Sequence, residues 1–375
     1  MPEIKHVALQ AAFHAGFFRL VQLARRRQTV ILTFHRFSSD RTGDCRGMSI
    51  ATFAECLEFL TRHYRVVSLD EMTGAFQRGE ARPNTAVVTI DDGYHEVFSL
   101  AAPVLRHYGV PASVFVVSDF IDGRMWLWPD RFRFVFEQAP VGQVVIRHRG
   151  SFRLIEIRTE LDRRRAEEFW REYAKGMPVA ERDELLGEVA EACRVELPAS
   201  PPDQYRSMTW AQLRALAAEG FEIGAHTRTH DIFSRLDRNR LRDEIAGCKE
   251  HIEQNLGLTV RHFAYPNGRK QDYTAESVAE VARAGYRAAV TMIAGGNTPD
   301  TPILELNRIN GDAEDVFHFA QSVSGVDLLK DRLRATRRGL GSDGDGPVTG
   351  FDFEPRRSAA AIHHPKTSET RRVGG

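Results

Sequence analysis

Two short stretches of this chain carry residues able to do chemistry together. In AVVTIDDGYHEVF (86–98) an apolar run ends in two adjacent carboxylates, Asp91 and Asp92, followed by Gly93. In FEIGAHTRTHDIF (221–233) a second apolar run is followed by His226 and His230, spaced i and i+4. Each has an ordinary explanation by itself. Asp and Gly tolerate the φ values of turns, and pairs of exposed histidines are common. Together they suggest more, because two neutral imidazoles and one carboxylate form a three-ligand set that leaves a coordination position for water or substrate. A structural zinc is more often closed by four ligands, thiolates among them. Here Cys45, Cys56, Cys193 and Cys248 are widely spaced and form no C-x-x-C pair. Successive residues at a strand end point in different directions, so one of Asp91 and Asp92 suffices for a metal and the other is left to take a proton.

Something must bring these stretches together. Seven β-rich runs punctuate the chain: TVILTF (29–34), AVVTID (86–91), ASVFVV (112–117), FEIGAH (221–226), RHFAYP (261–266), YRAAVT (286–291) and ILELNRI (303–309). Between them lie segments of helical period, several ending at glycine, as at Gly109, Gly220 and Gly257. Strand followed by helix, repeated, argues for an α/β fold with a parallel sheet, and at this length closure into a barrel is economical. An open doubly wound sheet is the competitor, weakened because no G-x-G-x-x-G opens any helix. In either form reactive groups gather at the C-terminal ends of the strands, where both motifs stand.

Two segments break the rhythm. Residues from about 120 to 207 are too long for a connection and read as a largely helical insertion on the barrel rim. Its charge-dense helices read as solvated surfaces, and its aromatic stretch, with Trp126, Trp128 and Phe132, reads as the insertion's own small core or as a platform for sugar rings. Residues 337–375 are poor in apolar side chains and read as a disordered tail. The chain thus divides into an N-terminal helix (1–28), a barrel with its insertion (29–336) and the tail.

Lys plus Arg and Asp plus Glu both total 51, so no net field draws the protein to nucleic acid. The opening residues lack the pattern of a cleaved export signal, and no apolar run reaches membrane-spanning length. A cytoplasmic location is expected on that basis. The first residues have helical spacing and end in Arg25, Arg26 and Arg27, which suits a helix packed on the domain or, alternatively, peripheral contact with a membrane surface. Nothing in the sequence indicates an oligomeric state.

At the motifs themselves a resemblance becomes specific. TIDDGY resembles the T-F-D-D-G signature of the NodB-homology polysaccharide deacetylases, carbohydrate esterase family 4, and HTRTH resembles their H-[ST]-x-x-[HS] metal motif. The resemblance spans about residues 29–310, interrupted by the insertion. It implies an irregular (β/α)7-type barrel that removes acetyl groups from N-acetylated sugars of a polysaccharide or glycolipid precursor, with a divalent metal, usually zinc. It further implies Asp91 as general base, Asp92, His226 and His230 as metal ligands, and the backbone N–H of Tyr94 as an oxyanion donor. An acetyl ester or formamide hydrolase on the same barrel, and a catalytically silent glycan-binding module, are the alternatives.

The sequence departs from the commonest family pattern twice. No Leu-x-His motif closes the domain, and the late histidine, His318, sits in a segment that reads as helix. VILTFHRF instead places His35 just beyond the first strand, resembling the poly-N-acetylglucosamine deacetylase subgroup whose acid-bearing strand comes first; His35 is therefore the expected general acid. In FAYPNG (263–268) Ala264 stands where the family carries an arginine. Tyr265, Pro266 and Asn267 are expected to shape the acetyl pocket, although Pro-Asn-Gly is also an ordinary turn. Arg308, at the end of the last strand, is the expected cationic neighbour of Asp91.

Overall fold

A computed structural model of the 375-residue chain describes residues 2–39 and 47–330. Seven strands form the barrel: β1 (Val30–Phe34), β2 (Thr85–Ile90), β3 (Ala112–Val116), β4 (Glu222–Ala225), β5 (His262–Ala264), β6 (Ala288–Ala294) and β7 (Leu306–Asn310). Each pairs in parallel with its neighbours in chain order. The ring closes where β7 pairs with β1, Leu32 opposite Ile309. Arg65–Val66 adds a short strand outside the ring, beside β2. The expected barrel is thus present, and each expected β-run contributes one of its strands.

Alternation along the strands sorts the core into two layers. Val30, Leu32 and Phe34 on β1, Val88 and Ile90 on β2, and Ile309 on β7 pack outward against the helices, in one cluster with Phe53, Leu57, Leu213 and Ile252. Ile31, Val87, Phe115, Ala264 and Leu306 belong to a separate cluster. Since side chains alternate every second residue, the inner face continues from Val87 through Thr89 to Asp91, from Ile31 through Thr33 to His35, and from Leu306 to Arg308. The period that buries the core therefore also aims these polar residues into the barrel mouth.

The insertion has its own buried cluster, including Trp128, Phe132, Phe136, Trp170, Leu185 and Val189. Helices Trp128–Gln138, Glu160–Lys175 and Val179–Ala192 account for most of it, but Gly142–His148 and Ser151–Ile157 form an antiparallel hairpin. The expectation of a largely helical insertion missed this hairpin. Alternation of buried Val144 and Ile146 with exposed Gln143, Val145 and Arg147 marks the first strand, and Arg149 and Gly150 supply the two positive φ values of the turn. A capping box at Thr159 starts the helix that follows.

At the N-terminus stand two helices, Pro2–His14 and Phe17–Ala24, rather than the single expected one, because Gly16 takes φ 75° between them. Phe18 is buried with Ala320 and Val326, so this segment packs on the domain, while Phe17, Leu20 and Leu23 are exposed. No helix among the described residues is long and apolar enough to cross a membrane. The tail expected at 337–375 lies outside the described residues.

Candidate active site

Asp92, His226 and His230 converge at the C-terminal mouth of the barrel, all buried. Nε2 of His226 and Nε2 of His230 each lie 3.5 Å from Oδ1 of Asp92. Ligands held about 2.0–2.2 Å from a tetrahedral zinc stand roughly 3.4 Å from one another, so this spacing fits one small divalent cation. The chemistry of the donors fits as well. Nδ1 of His226 lies 2.7 Å from the carbonyl oxygen of Ala264, and as its donor leaves the Nε2 lone pair facing Asp92. Burial, and next the neighbouring His226, push His230 well below the usual imidazole range and keep it neutral. Oδ1 of Asp92 is buried with no hydrogen-bond partner among the described residues, a costly state for a carboxylate unless a cation sits there.

Both motifs reach this geometry through tight turns. Asp92 takes φ 76° and Gly93 φ 93°. At φ 93° glycine is favoured by conformation, and a Cβ there would lie 3.0 Å from Cδ1 of Ile121 and 3.1 Å from Cγ1 of Val116, closer than ordinary contact. The sharp turn rotates Asp92 away from Asp91. Between the histidines the chain is a turn and not a helix, with φ 70° at Thr227 and 61° at His230; the Thr227 hydroxyl accepts from the His230 N–H at 2.9 Å. Glu244, fully buried, accepts from the N–H groups of Arg228 and Thr229 and from the Thr229 hydroxyl, and so holds the loop from below.

The other carboxylate faces a different partner. Arg308 Nη1 and Nη2 donate to the two oxygens of Asp91 at 2.8 and 2.7 Å, and its Nε donates to the Thr291 carbonyl at 2.8 Å. Burial alone would raise the Asp91 carboxyl, but the adjacent guanidinium overcomes it and holds the group well below the usual carboxylate range. Across the mouth, Nδ1 of His35 lies 3.0 Å from Oδ2 of Asp312. Burial pulls His35 down, yet Asp312, aided by Asp92 and Asp91, lifts it to about 9. Asp91, Asp92, His35, His226 and His230 all line one cavity of about 1060 Å³.

Residues 186–289 match the family model described as polysaccharide deacetylase, a span that includes both histidines and strands β4 and β5. Over that span the chain is similar to the polysaccharide deacetylases. Its match to the uncharacterized YlxY protein of Bacillus subtilis is 34% identical over 55 residues and spans 15% of this chain and only 17% of that relative. Among solved structures, the Streptococcus pyogenes deacetylase PplD in complex with acetate is 16% identical with a TM-score of 0.53, covering 79% of this chain and 98% of that one. BA0330 of Bacillus anthracis is also 16% identical, with a TM-score of 0.50, covering 79% of this chain and 69% of that one. These likenesses show that the fold is shared.

The remaining predicted residues divide between the cavity and its supports. Tyr94, Tyr265 and Asn267 line the cavity. The Tyr94 hydroxyl, however, is turned to Asp130 at 2.5 Å, and the Tyr265 hydroxyl donates to the Leu304 carbonyl at 3.1 Å, so both rings are anchored through their polar ends. Asn267 takes φ 55° in the turn before Gly268, and Pro266 is buried beside it without lining the cavity. His318 is on the helix Val316–Ser324, its ring stacked on His6, and does not line the cavity. Trp128 and Phe132 are buried in the insertion's own core and Trp126 in a separate cluster with Tyr94, Val117 and Tyr205, so none of the three stands exposed as a sugar platform.

Four residues at the site went unseen in the sequence. Asp312 was legible only through its position just past β7. Arg36, Asp130 and Arg182 carried no signal. Arg36 donates to Glu96 at 2.8 Å and lies over the Tyr94 ring at 4.3 Å. Arg182, from the insertion, donates to Asp231 at 2.9 Å, and Trp128 Nε1 donates to the His230 carbonyl at 3.2 Å, so the insertion clamps the histidine loop.

Proposed function

We propose that the protein is a metal-dependent de-N-acetylase acting on an N-acetylated sugar of a polysaccharide or glycolipid precursor, with Asp92, His226 and His230 as ligands and zinc as the metal. The observation that carries this reading is the convergence of two separately positioned carboxylates and three histidines on one cavity, with Asp92 committed to the imidazoles and Asp91 to Arg308. A divalent cation held by the three ligands would act as a Lewis acid and bring the pKa of water from 15.7 toward about 7, within reach of a carboxylate as weakly basic as Asp91.

The chain's own residues would do the rest. Asp91 accepts the water proton; Arg308 fixes its orientation and leaves each oxygen a further lone pair. The Tyr94 backbone N–H donates to the acetyl oxygen as negative charge develops on it, a contribution whose loss elsewhere costs roughly 3–4 kcal/mol. His35, kept protonated at neutral pH by Asp312, gives its proton to the leaving amine. Tyr265 and Asn267 bound the space for the acetyl methyl.

Acetate release from a panel of N-acetylated oligosaccharides and lipid-linked sugars, with defined metals and with chelator, tests the reading. Chelator-sensitive release that Asp91→Asn abolishes is expected. Release only from O-acetylated or N-formylated sugars would assign the barrel to a different bond, and binding without any release would make the chain a glycan-binding module.

A further inference from the structure

The insertion helix Glu160–Lys175 presents Arg164, Arg171 and Lys175 to the same cavity that holds the proposed catalytic groups. Their spacing of seven and four places them on one face of the helix. Arg269, from the loop after β5, joins them on the cavity wall. The acidic partners of this wall sit elsewhere. Glu172 takes Lys175 at 2.6 Å, Arg171 at 3.2 Å and Arg269 at 3.6 Å, and Glu167 takes Arg171 at 2.7 Å. Three cations thus share two carboxylates, and neither carboxylate lines the cavity. Glu160 and Glu167 line a different hollow on the other side of Arg164 and Arg171.

Lys175 and Arg171 are held in the wall and do not extend into solvent; their side chains are 15% and 24% exposed. Burial, with Arg171 and Arg269 adding to it, pulls the Lys175 ammonium below its ordinary range against the opposing pull of Glu172. An oxyanion entering the cavity would relieve that crowding, and guanidinium groups match carboxylate and phosphate geometry through paired N–H donors.

We propose that this wall binds an anionic group of the substrate, so that the sugar deacetylated here carries a phosphate or carboxylate close to its acetamido group, and neutral N-acetylated glycans are poor substrates. The inference rests on the de-N-acetylase reading for its substrate class, although the anion site itself does not.

The test compares kcat/KM for three N-acetylated oligosaccharides of equal length, one neutral, one bearing phosphate and one bearing uronate carboxylates, in the wild type and in the Arg171→Gln/Lys175→Gln double variant. At least a tenfold preference for one of the anionic substrates is expected, together with at least a tenfold fall in that preference in the double variant. Which anion is preferred separates phosphorylated from uronate-containing glycans. Equal turnover of all three, or a preference the variant keeps, overturns the proposal. Should the double variant fail to fold, Arg269→Gln, on a loop and 57% exposed, replaces it. If no sugar is deacetylated, the activity reading fails separately, and calorimetric titration with inorganic pyrophosphate decides the anion site. Binding at least tenfold weaker in the variant supports it. Equal binding in both proteins, or none in either, overturns it.

Discussion

Arg308 and Asp91 lie 217 positions apart in the chain and form a two-point ion pair, 2.8 and 2.7 Å, inside the barrel mouth. Both side chains are buried, at 0% and 2% exposure, so neither charge is tolerable without the other. Arg308 comes from β7, whereas the resemblance to the deacetylases leads one to expect an arginine at the place of Ala264 on β5.

Removing the guanidinium should therefore cost more than catalysis. Arg308→Met is expected to lower unfolding stability in urea by about 3–5 kcal/mol, because a buried carboxylate is left unpaired. It should also move the acid limb of the kcat profile to higher pH, since the Asp91 carboxyl loses the group that depresses it. An acid limb that stays in place would mean that Asp91 does not set it.

The proposed acid and its supporter make a separate prediction. His35→Ala should reduce kcat by about 10²–10⁴ with a smaller change in KM, whereas His318→Ala should do neither. An acid must be protonated to act, and His35 is lifted to about 9, so activity should fall as pH rises through that value. Asp312→Asn removes the main group that raises it and should shift this alkaline limb to lower pH.

Metal content can be separated from turnover. Asp92→Asn and His230→Ala should purify with less bound metal by elemental analysis. Asp91→Asn should keep its metal and lose turnover by about 10²–10⁴. Normal occupancy in His230→Ala would remove that residue from the ligand set.

The clamp from the insertion predicts coupling between distant parts of the chain. Arg182 is buried and its guanidinium reaches Asp231 next to His230. Arg182→Met should lower stability by about 3 kcal/mol and weaken metal retention during dialysis against chelator. Loss of stability with unchanged metal retention would limit the insertion to a structural role.

Glu222, at the start of β4, predicts a pH dependence of folding. Burial would raise it, but contact with His262, the Ser113 hydroxyl at 2.6 Å and the Asp70 N–H at 2.9 Å bring it down to about 2. A carboxyl depressed in the folded state contributes stability that is fully present above its unfolded value, about 4.5, and is lost as pH falls through about 2. Glu222→Gln should thus be less stable than the parent at neutral pH, by about 2 kcal/mol, and the gap should close between these two values.

The sequence by itself determined the seven strands and the residues standing at their ends, and argued for a parallel sheet, closed or open. Those follow from local periodicity: a run such as AVVTI must bury both faces, and Asp91 inherits the inner face from Val87 and Thr89. The strand runs also located Arg308 at a strand end, as the expected neighbour of Asp91, and the two meet. Ring closure alone decided that β7 lies against β1, which delivers Asp312 to His35 and Arg308 to the mouth where Asp91 stands. Likewise, only packing of the insertion onto the barrel set Arg182 against Asp231 and lined the cavity with Arg171 and Lys175. Such contacts join residues that no helical or strand period relates, since their separation in the chain is fixed by the lengths of everything between them.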